Sequence, residues 1–534
     1  MDRARHLRNY DLHSWTGITL GLIVYIVALT GTFALFDNEI KTWEDPTLRV
    51  AVADETPPIA DVFSTWVEET SAGGTELEFV RLNYPTTYTP YFWGFIQYHD
   101  ENDEHVNANQ KWHAETGETI AERGNGLSYW TLNIHRDFMW PSFLGGRQIG
   151  RWLVGIVGVV LLLAILTGVI AHTKIREEAY SMRLKRSQRL KWQDSHKVVG
   201  LWGLPFFSMI AFTGAFLGVI GLVSQLTAAI AFKGDLDTLI GAVLGPEAER
   251  TGVEVQMLSA DEIAQMRHPE SNASPQSFVV RNYGDEASEI DIFYAPDTQL
   301  STVEIISVDG ATGERITDDP FKEQPLAGHF VNAMSPLHYG TYGGIWLKFL
   351  YFILGLSLSV ITALGCMMWI ERRKHGNEGT KSEAFYNRLG YFNTGVIMGL
   401  PVAAISIFYL DKLYVGAESS RLAATGSVYL GVWVIGLAYA FVRRNDYSTT
   451  RELLMLTGAL AMGIPVLNGI TTGDWFFAHL TADHSTAAWV DVSMLICGGA
   501  TIVAGYLSPA ERKTKRRAVS RAASEPEAAA VPAE

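Results

Sequence analysis

The segment RNYDLHSWTGITLGLIVYIVALTGTFALF, Arg8 to Phe36, decides the class of this chain. From Leu12 to Phe36 it carries no charge, and that is longer than the roughly 20 apolar residues that cross a hydrocarbon layer. His13 stands at its threshold and Thr30-Gly31 lies near its far end. A second segment, QDSHKVVGLWGLPFFSMIAFTGAFLG from Gln193 to Gly218, repeats the arrangement with His196 and Thr213-Gly214. The offset from histidine to threonine is 17 residues in both. A histidine placed twice at one depth of a membrane calls for a reason beyond chance.

Working outward, eight uncharged windows of membrane length appear: Trp15–Phe36, Trp152–Ala171, Val198–Val223, Phe349–Ile370, Gly390–Leu410, Leu422–Val442, Leu453–Gly473 and Val492–Ser508. The third lies in a run that stays uncharged to Phe232. Arg3, Arg5 and Arg8 precede the first, as in a signal peptide, but no small-x-small cleavage site follows, so a retained helix is expected. Eight Lys and Arg residues fill 173–197, and ERRKH, Arg443-Arg444 and ERKTKRR fall on the same side. By the positive-inside rule that side is cytoplasmic, with both termini. Two long loops then lie outside, each with 19 acidic residues against seven and six basic ones. They account for the net charge of −15, which disfavours nucleic acid as a partner. Cys366 and Cys497 both fall in spans, so no disulfide framework and no covalent haem motif exists. HExxH, Walker and GxGxxG signatures are also missing, which disfavours a zinc protease, an NTPase and direct nicotinamide binding.

The outer loops are alike. NQKWHAETGETIAE in the first and IISVDGATGERITD in the second each read as strand, Thr-Gly-Glu turn, strand. EFVRLNY, YFWGFIQYH, SFVVRNY and EIDIFYA alternate as strands do, so a small α+β domain is expected in each loop. A further histidine follows each loop just before a span, His135 in LNIHRDFMWP and His338 in SPLHYGTYGG. The unit of histidine, span, outer domain, histidine, span therefore occurs twice, which predicts pseudo-symmetric packing. His13, His196 and His172 belong to a cytoplasmic layer; His135, His338 and His329 belong to an outer one, most of a bilayer (roughly 30 Å) away. One interfacial histidine is ordinarily an anchor, but two repeats each giving one imidazole per layer point to axial haem ligation, of b type without a C-x-x-C-H. Gly155, Gly158, Gly200, Gly203, Gly214 and Gly218 would admit either a flat macrocycle or a neighbouring helix. Asp11, Asp194 and Asp137 are candidate acceptors for the second ring nitrogens. His99, His105, His113 and His268 are expected on the surface, and His479 and His484 in a short outer loop.

LHSWTG with LTGTFALF, LNIHRDF with GGRQIGRWLVGIVGVVLLLAILTGVI, DSHKVVGLWG with FTGAF, and LHYGTYGGIWLKFLYFILGL together resemble the PepSY-associated transmembrane helix family over residues 1 to about 375. The Thr-Gly-Glu hairpins are similar to its PepSY outer domains. The family includes iron-regulated bacterial inner-membrane proteins, some resembling di-haem reductases of periplasmic ferric siderophores. The resemblance implies two b haems and a part in iron uptake. The four later spans depart from the family's minimal pattern.

The expected fold class is a membrane α-helical bundle of about eight transmembrane helices, the first four a two-fold repeat, with two α+β PepSY-like periplasmic domains. The expected divisions are 1–36, N-terminus and first span; 37–148, first domain; 149–172, second span; 173–197, basic linker; 198–232, third span; 233–344, second domain; 345–370, fourth span; 371–389, linker; 390–508, four further spans; and 509–534, a disordered cytoplasmic tail. The expected function is an inner-membrane haem b protein that passes electrons from quinol or a cytoplasmic reductase to a ferric siderophore. The inner haem would take His13 and His196, with His172 competing; the outer haem would take His135 and His338, with His329 the alternative. Arg136, Arg147 and Arg151 would neutralise propionates, attract an anionic chelate, or merely snorkel at the interface. A membrane-anchored peptide- or protein-binding module and a transporter are the competing classes.

Overall fold

The computed structural model describes residues 3–50, 57–71, 77–86, 89–99, 105–121, 123–172, 174–183, 188–236, 238–239, 249–294, 304–316, 326–374, 381–481 and 485–511. The tail expected at 509–534 falls almost wholly outside these residues, as does His484. Eight helices among them are long and apolar enough to cross a membrane, and the chain is a multi-pass membrane protein.

The helices are α1 (Arg3–Ala34), α2 (Asp37–Glu44), α3 (Ala60–Ser71), α4 (Leu127–Arg136), α5 (Gly146–Ala171), α6 (Gln188–Trp202), α7 (Leu204–Ala231), α8 (Ala260–Gln265), α9 (Leu326–Tyr339), α10 (Gly344–Lys374), α11 (Glu383–Leu413), α12 (Arg421–Arg443), α13 (Asp446–Thr472) and α14 (Thr486–Leu507). The third span departs from its expected start at Val198. Pro205 sits in the first turn of α7, where its missing N–H and fixed φ open a helix well. The chain breaks at Gly203, the span runs from Leu204 to Ala231, and His196 rides on the preceding helix α6. The other seven spans overlie their windows, with ends that differ by up to nine residues, the most at the start of the first.

In the first half, α1 packs on α10 and α5, α5 on α7, and α6 on α10. Gly155 meets the backbone of Gly218, and Gly158 that of Ala215. These glycines serve the close approach of α5 to α7, the plainer of their two expected roles. In the second half α11 packs on α12 and α13, and α13 on α14. The most enclosed span is α11, which also touches α10 and α1.

The strands are β1 (Leu77–Asn83), β2 (Tyr91–His99), β3 (His105–His113), β4 (Thr119–Ile120), β5 (Pro275–Arg281), β6 (Glu289–Tyr294) and β7 (Glu304–Asp309). A separate α+β domain in each loop was the expectation; the strands of both loops instead join in one antiparallel sheet of order β4-β3-β2-β1-β5-β6-β7. The seam is β1 against β5, with Val80 opposite Val280. Pairing there removes the edge each smaller sheet would expose. Val80, Leu82, Phe92, Ile96, Phe278, Val280, Ile290 and Ile292 share one buried core with Phe63 and Val67 of α3 and Ile263 of α8. Asp261 of the second loop accepts from the N–H of Ile59 (2.8 Å) and Ala60 (3.2 Å), at the start of α3 in the first. The two Thr-Gly-Glu turns are built alike: Gly117 and Gly313 take φ +70° and +73°, and Thr116 and Thr312 each accept from the N–H two residues on.

Candidate functional site

His13 and His196 lie with ring centroids 6.2 Å apart and planes 66° from parallel at the end of the bundle far from the sheet. His135 and His338 pair at the sheet end at the same 6.2 Å, but with their planes only 17° from parallel. From His13 to Gly31, beside which His135 lies, α1 advances eighteen residues, about 27 Å at 1.5 Å per residue.

Each ring is seated on a helix other than its own, in a notch made by glycine. His13 Nδ1 lies 2.9 Å from the Ala164 carbonyl, and a Cβ on Gly168 would come within 3.1 Å of its Cε1. His196 Nδ1 lies 2.8 Å from the Ile361 carbonyl, and a Cβ on Gly365 would come within 3.3 Å. His135 Nδ1 lies 3.0 Å from the Val27 carbonyl, and a Cβ on Gly31 would come within 2.8 Å. In all three the accepting carbonyl stands four residues before the glycine, so in an α-helix it already pairs with that glycine's N–H. Its second lone pair takes the imidazole, and the missing Cβ lets the ring approach. His338 uses a variant: Nδ1 lies 3.0 Å from Thr213 Oγ1, whose own hydrogen goes to the Met209 carbonyl, and a Cβ on Gly214 would come within 2.9 Å.

All four Nδ1 atoms thus act as donors, which assigns the Nδ1–H tautomer and leaves the Nε2 lone pairs for another partner. Burial holds the imidazoles of His135 and His338 below their ordinary range, His338 at about 3 with His135 beside it. Neutral imidazole is the form that ligates a metal. A metal–imidazole bond is about 2 Å and the ring centre lies ~1 Å beyond, so two imidazoles trans on one ion have centroids roughly 6 Å apart. Among the described residues no group of three or more His, Cys, Asp or Glu could hold an ion alone. Each pair brings two imidazoles together and, among the described residues, no third such group.

The aspartates expected as acceptors are engaged elsewhere. Asp194 takes Arg183 at 2.6 Å, and Asp137 takes Arg147 at 3.4 Å and Arg136 at 3.7 Å; Asp11 is exposed. Backbone carbonyls and one threonine do the work instead, because each ring turns its Nδ1–Cε1 edge to a neighbouring helix. His172 hydrogen-bonds Glu178, which also takes Lys197 at 3.0 Å. His329 falls in α9, and its side chain lies outside the described residues. Arg136 and Arg147 both donate to Asn133, and Arg151 lies within electrostatic reach of Asp137 and Tyr339. These arginines gather on Asn133, Asp137 and Tyr339, the sequence neighbours of His135 and His338. His268, expected on the surface, is mostly enclosed, pairs with Glu304 at 3.2 Å and packs edge-on against Tyr294.

Sequence reasoning paired Thr-Gly with histidine in α1 and α7 but not Thr167-Gly168 in α5, a third instance of the same signal, nor Gly365 in α10, which follows a leucine. Between the two pairs, by position along each helix, Phe207, Leu358 and Ile361 pack with Ala28, Leu161, Ile165, Val199 and Phe206 as an apolar plug.

The chain is similar to an uncharacterised protein of Pseudomonas aeruginosa, at 26% identity over 388 residues, 70% of this chain and 92% of that one. A family model described as the PepSY-associated TM region matches residues 10–372, which takes in all four paired histidines and all four glycine notches. The chain belongs to the PepSY-associated TM region family.

Proposed function

We propose that this protein is a di-haem b membrane protein of the bacterial inner membrane that carries electrons across the bilayer and reduces a ferric siderophore in the periplasm. The observation that carries the proposal is the two imidazole pairs at 6.2 Å, each ring with Nδ1 anchored and Nε2 released. Two imidazoles and the four nitrogens of a porphyrin make six ligands, which explains why each site stops at two protein donors. Haem supplies a one-electron Fe(III)/Fe(II) couple when bound.

The chain's own residues do the rest. His13 and His196 hold the cytoplasmic-side group, and His135 and His338 the periplasmic-side one. The Nδ1 bonds fix ring orientation and raise ligand basicity, the second-shell role of such acceptors. Arg136, Arg147 and Arg151 offer positive charge at the sheet end, to propionates or to an anionic Fe(III) chelate. The apolar plug excludes water between the pairs, which counts against a solute pathway and so against a transporter. The first four spans act as a two-fold repeat, with both termini cytoplasmic and the joined PepSY-like sheet facing the periplasm, where the chelate docks. Siderophores hold hard Fe(III) through oxygen; reduction to Fe(II) loosens that hold. Quinol or a cytoplasmic reductase is the electron donor.

The test is a reduced-minus-oxidised visible spectrum of the purified protein, followed by addition of a ferric siderophore. Two b haems per chain, re-oxidised by the chelate, are expected. A haem-free protein after haem-replete expression would leave a peptide-binding module as the better account, and a di-haem protein inert to every ferric chelate would remove the substrate.

A further inference from the structure

Two of the four C-terminal spans, α11 and α12, pack on one short helix of the first half, α4, which carries His135, while α14 packs on the neighbouring α2. At its N-terminus the buried Glu44 carboxylate accepts from the N–H of Leu127 and of Ser128, each at 2.9 Å. Those are two of the donors a helix start leaves unpaired, and a carboxylate suits the positive end of the helix. Glu44 is held in turn. Its backbone carbonyl takes Arg123 and the Lys412 ammonium, the latter at 3.2 Å. Arg123 reaches Asp411 of α11 at 3.0 Å, and Asp411 also takes Arg421 of α12 at 3.3 Å. Arg421 forks onto Glu418 at 2.6 and 2.7 Å, and Glu418 accepts from the N–H of Gly124, just before α4. On the side of α4, Trp130 packs at a tilt against Tyr429, with ring centroids 5.6 Å apart, and lies so close to Gly426 that a Cβ there would come within 2.6 Å of its ring. Asp411 and Arg421 are both about 5% exposed, a costly place for charge unless the geometry has a use. The partner helix of the sheet-end pair, α9 with His338, packs on α7.

We infer that the C-terminal four-span unit is a clamp on α4, with Glu44, Asp411 and Arg421 as positioning residues that set His135 opposite His338. This rests on the di-haem reading for its consequence, though not for its geometry. The clamp acts on one haem of the two and acts through His135 alone.

Two readouts on the full-length protein separate the clamp from the haem assignment. Amide hydrogen exchange over 127–136 needs no haem. Glu44→Gln and Arg421→Gln should speed it about tenfold or more while exchange in α6 and α9 stays as in the parent. Redox titration of the visible bands should show one haem shifted in potential or lost, the same one that His135→Ala removes, and the other unchanged. Gly426→Ala, which presses on Trp130 from α12, should reproduce the pattern without touching a charge. Unchanged exchange in α4, equal acceleration throughout the bundle, or two haems shifted alike would overturn the clamp. A parent protein without haem would overturn the functional reading, and the exchange arm would still decide the clamp.

Discussion

At the scale of single residues, a glycine on one helix decides where a histidine on another can sit. A Cβ at Gly31 would press on His135 at 2.8 Å, and one at Gly168 on His13 at 3.1 Å. Overpacking of this kind costs about 1–3 kcal/mol when a neighbour must move. Gly31→Ala should therefore weaken or alter only the sheet-end haem, and Gly168→Ala only the far one, with the tighter contact at Gly31 giving the larger effect. Haem content and band position in each single variant check this, and an equal effect on both haems would refute the notch. His13 and His196 were legible in the sequence because they recur at one offset from Thr-Gly, and His135 and His338 because each follows an outer loop just before a span. Their Nδ1 acceptors were not. Any helical residue offers a carbonyl, so nothing in the letters Ala164, Ile361 or Val27 marks them, and the eye goes to aspartates that pair with arginines instead.

At the scale of elements, the spans were legible from uncharged length alone, and the strands from alternation. The break at Gly203–Pro205 was not taken from the sequence, although proline in a first turn is its usual mark. Nor was the seam between β1 and β5, since alternation tells which residues are buried and not which strand lies alongside. The second loop's turn at Asp285 offers a check on that unit. Its carboxylate accepts from the N–H of Thr251 (3.0 Å), Ala287 (2.8 Å) and Gly252 (2.7 Å), and these bonds hold its pKa at about 2. A carboxyl whose folded value lies below its unfolded one adds stability above the unfolded value, near 3.9, and loses it as pH falls through the folded one. The thermal midpoint of the sheet should thus be insensitive to Asp285 ionisation above about pH 4 and fall between about 4 and 2. Asp285→Asn should lower the midpoint at neutral pH and remove that part of the acid-side slope. A parent-like slope in the variant would contradict the assignment.

At the scale of the whole molecule, two His pairs close the ends of a four-span bundle and a second four-span unit leans on it. The sequence left that second unit without a role. Asp411, Lys412 and Arg421 sit where spans end, and charges at span ends read as ordinary boundary residues. Only packing shows that Lys412 reaches Glu44, 368 positions before it in the chain, under the start of α4, and that Asp411 and Arg421 join the same network through Arg123. The central claim is that His13 with His196 and His135 with His338 are two separate pairs of axial ligands. The most direct measurement is haem per chain, with the reduced visible spectrum, for the parent and for His13→Ala, His196→Ala, His135→Ala and His338→Ala. Two haems in the parent are predicted, with His13→Ala and His196→Ala losing one and the same component, and His135→Ala and His338→Ala losing the other. Full haem content in all four variants, or losses that do not divide into these two pairs, would contradict the account.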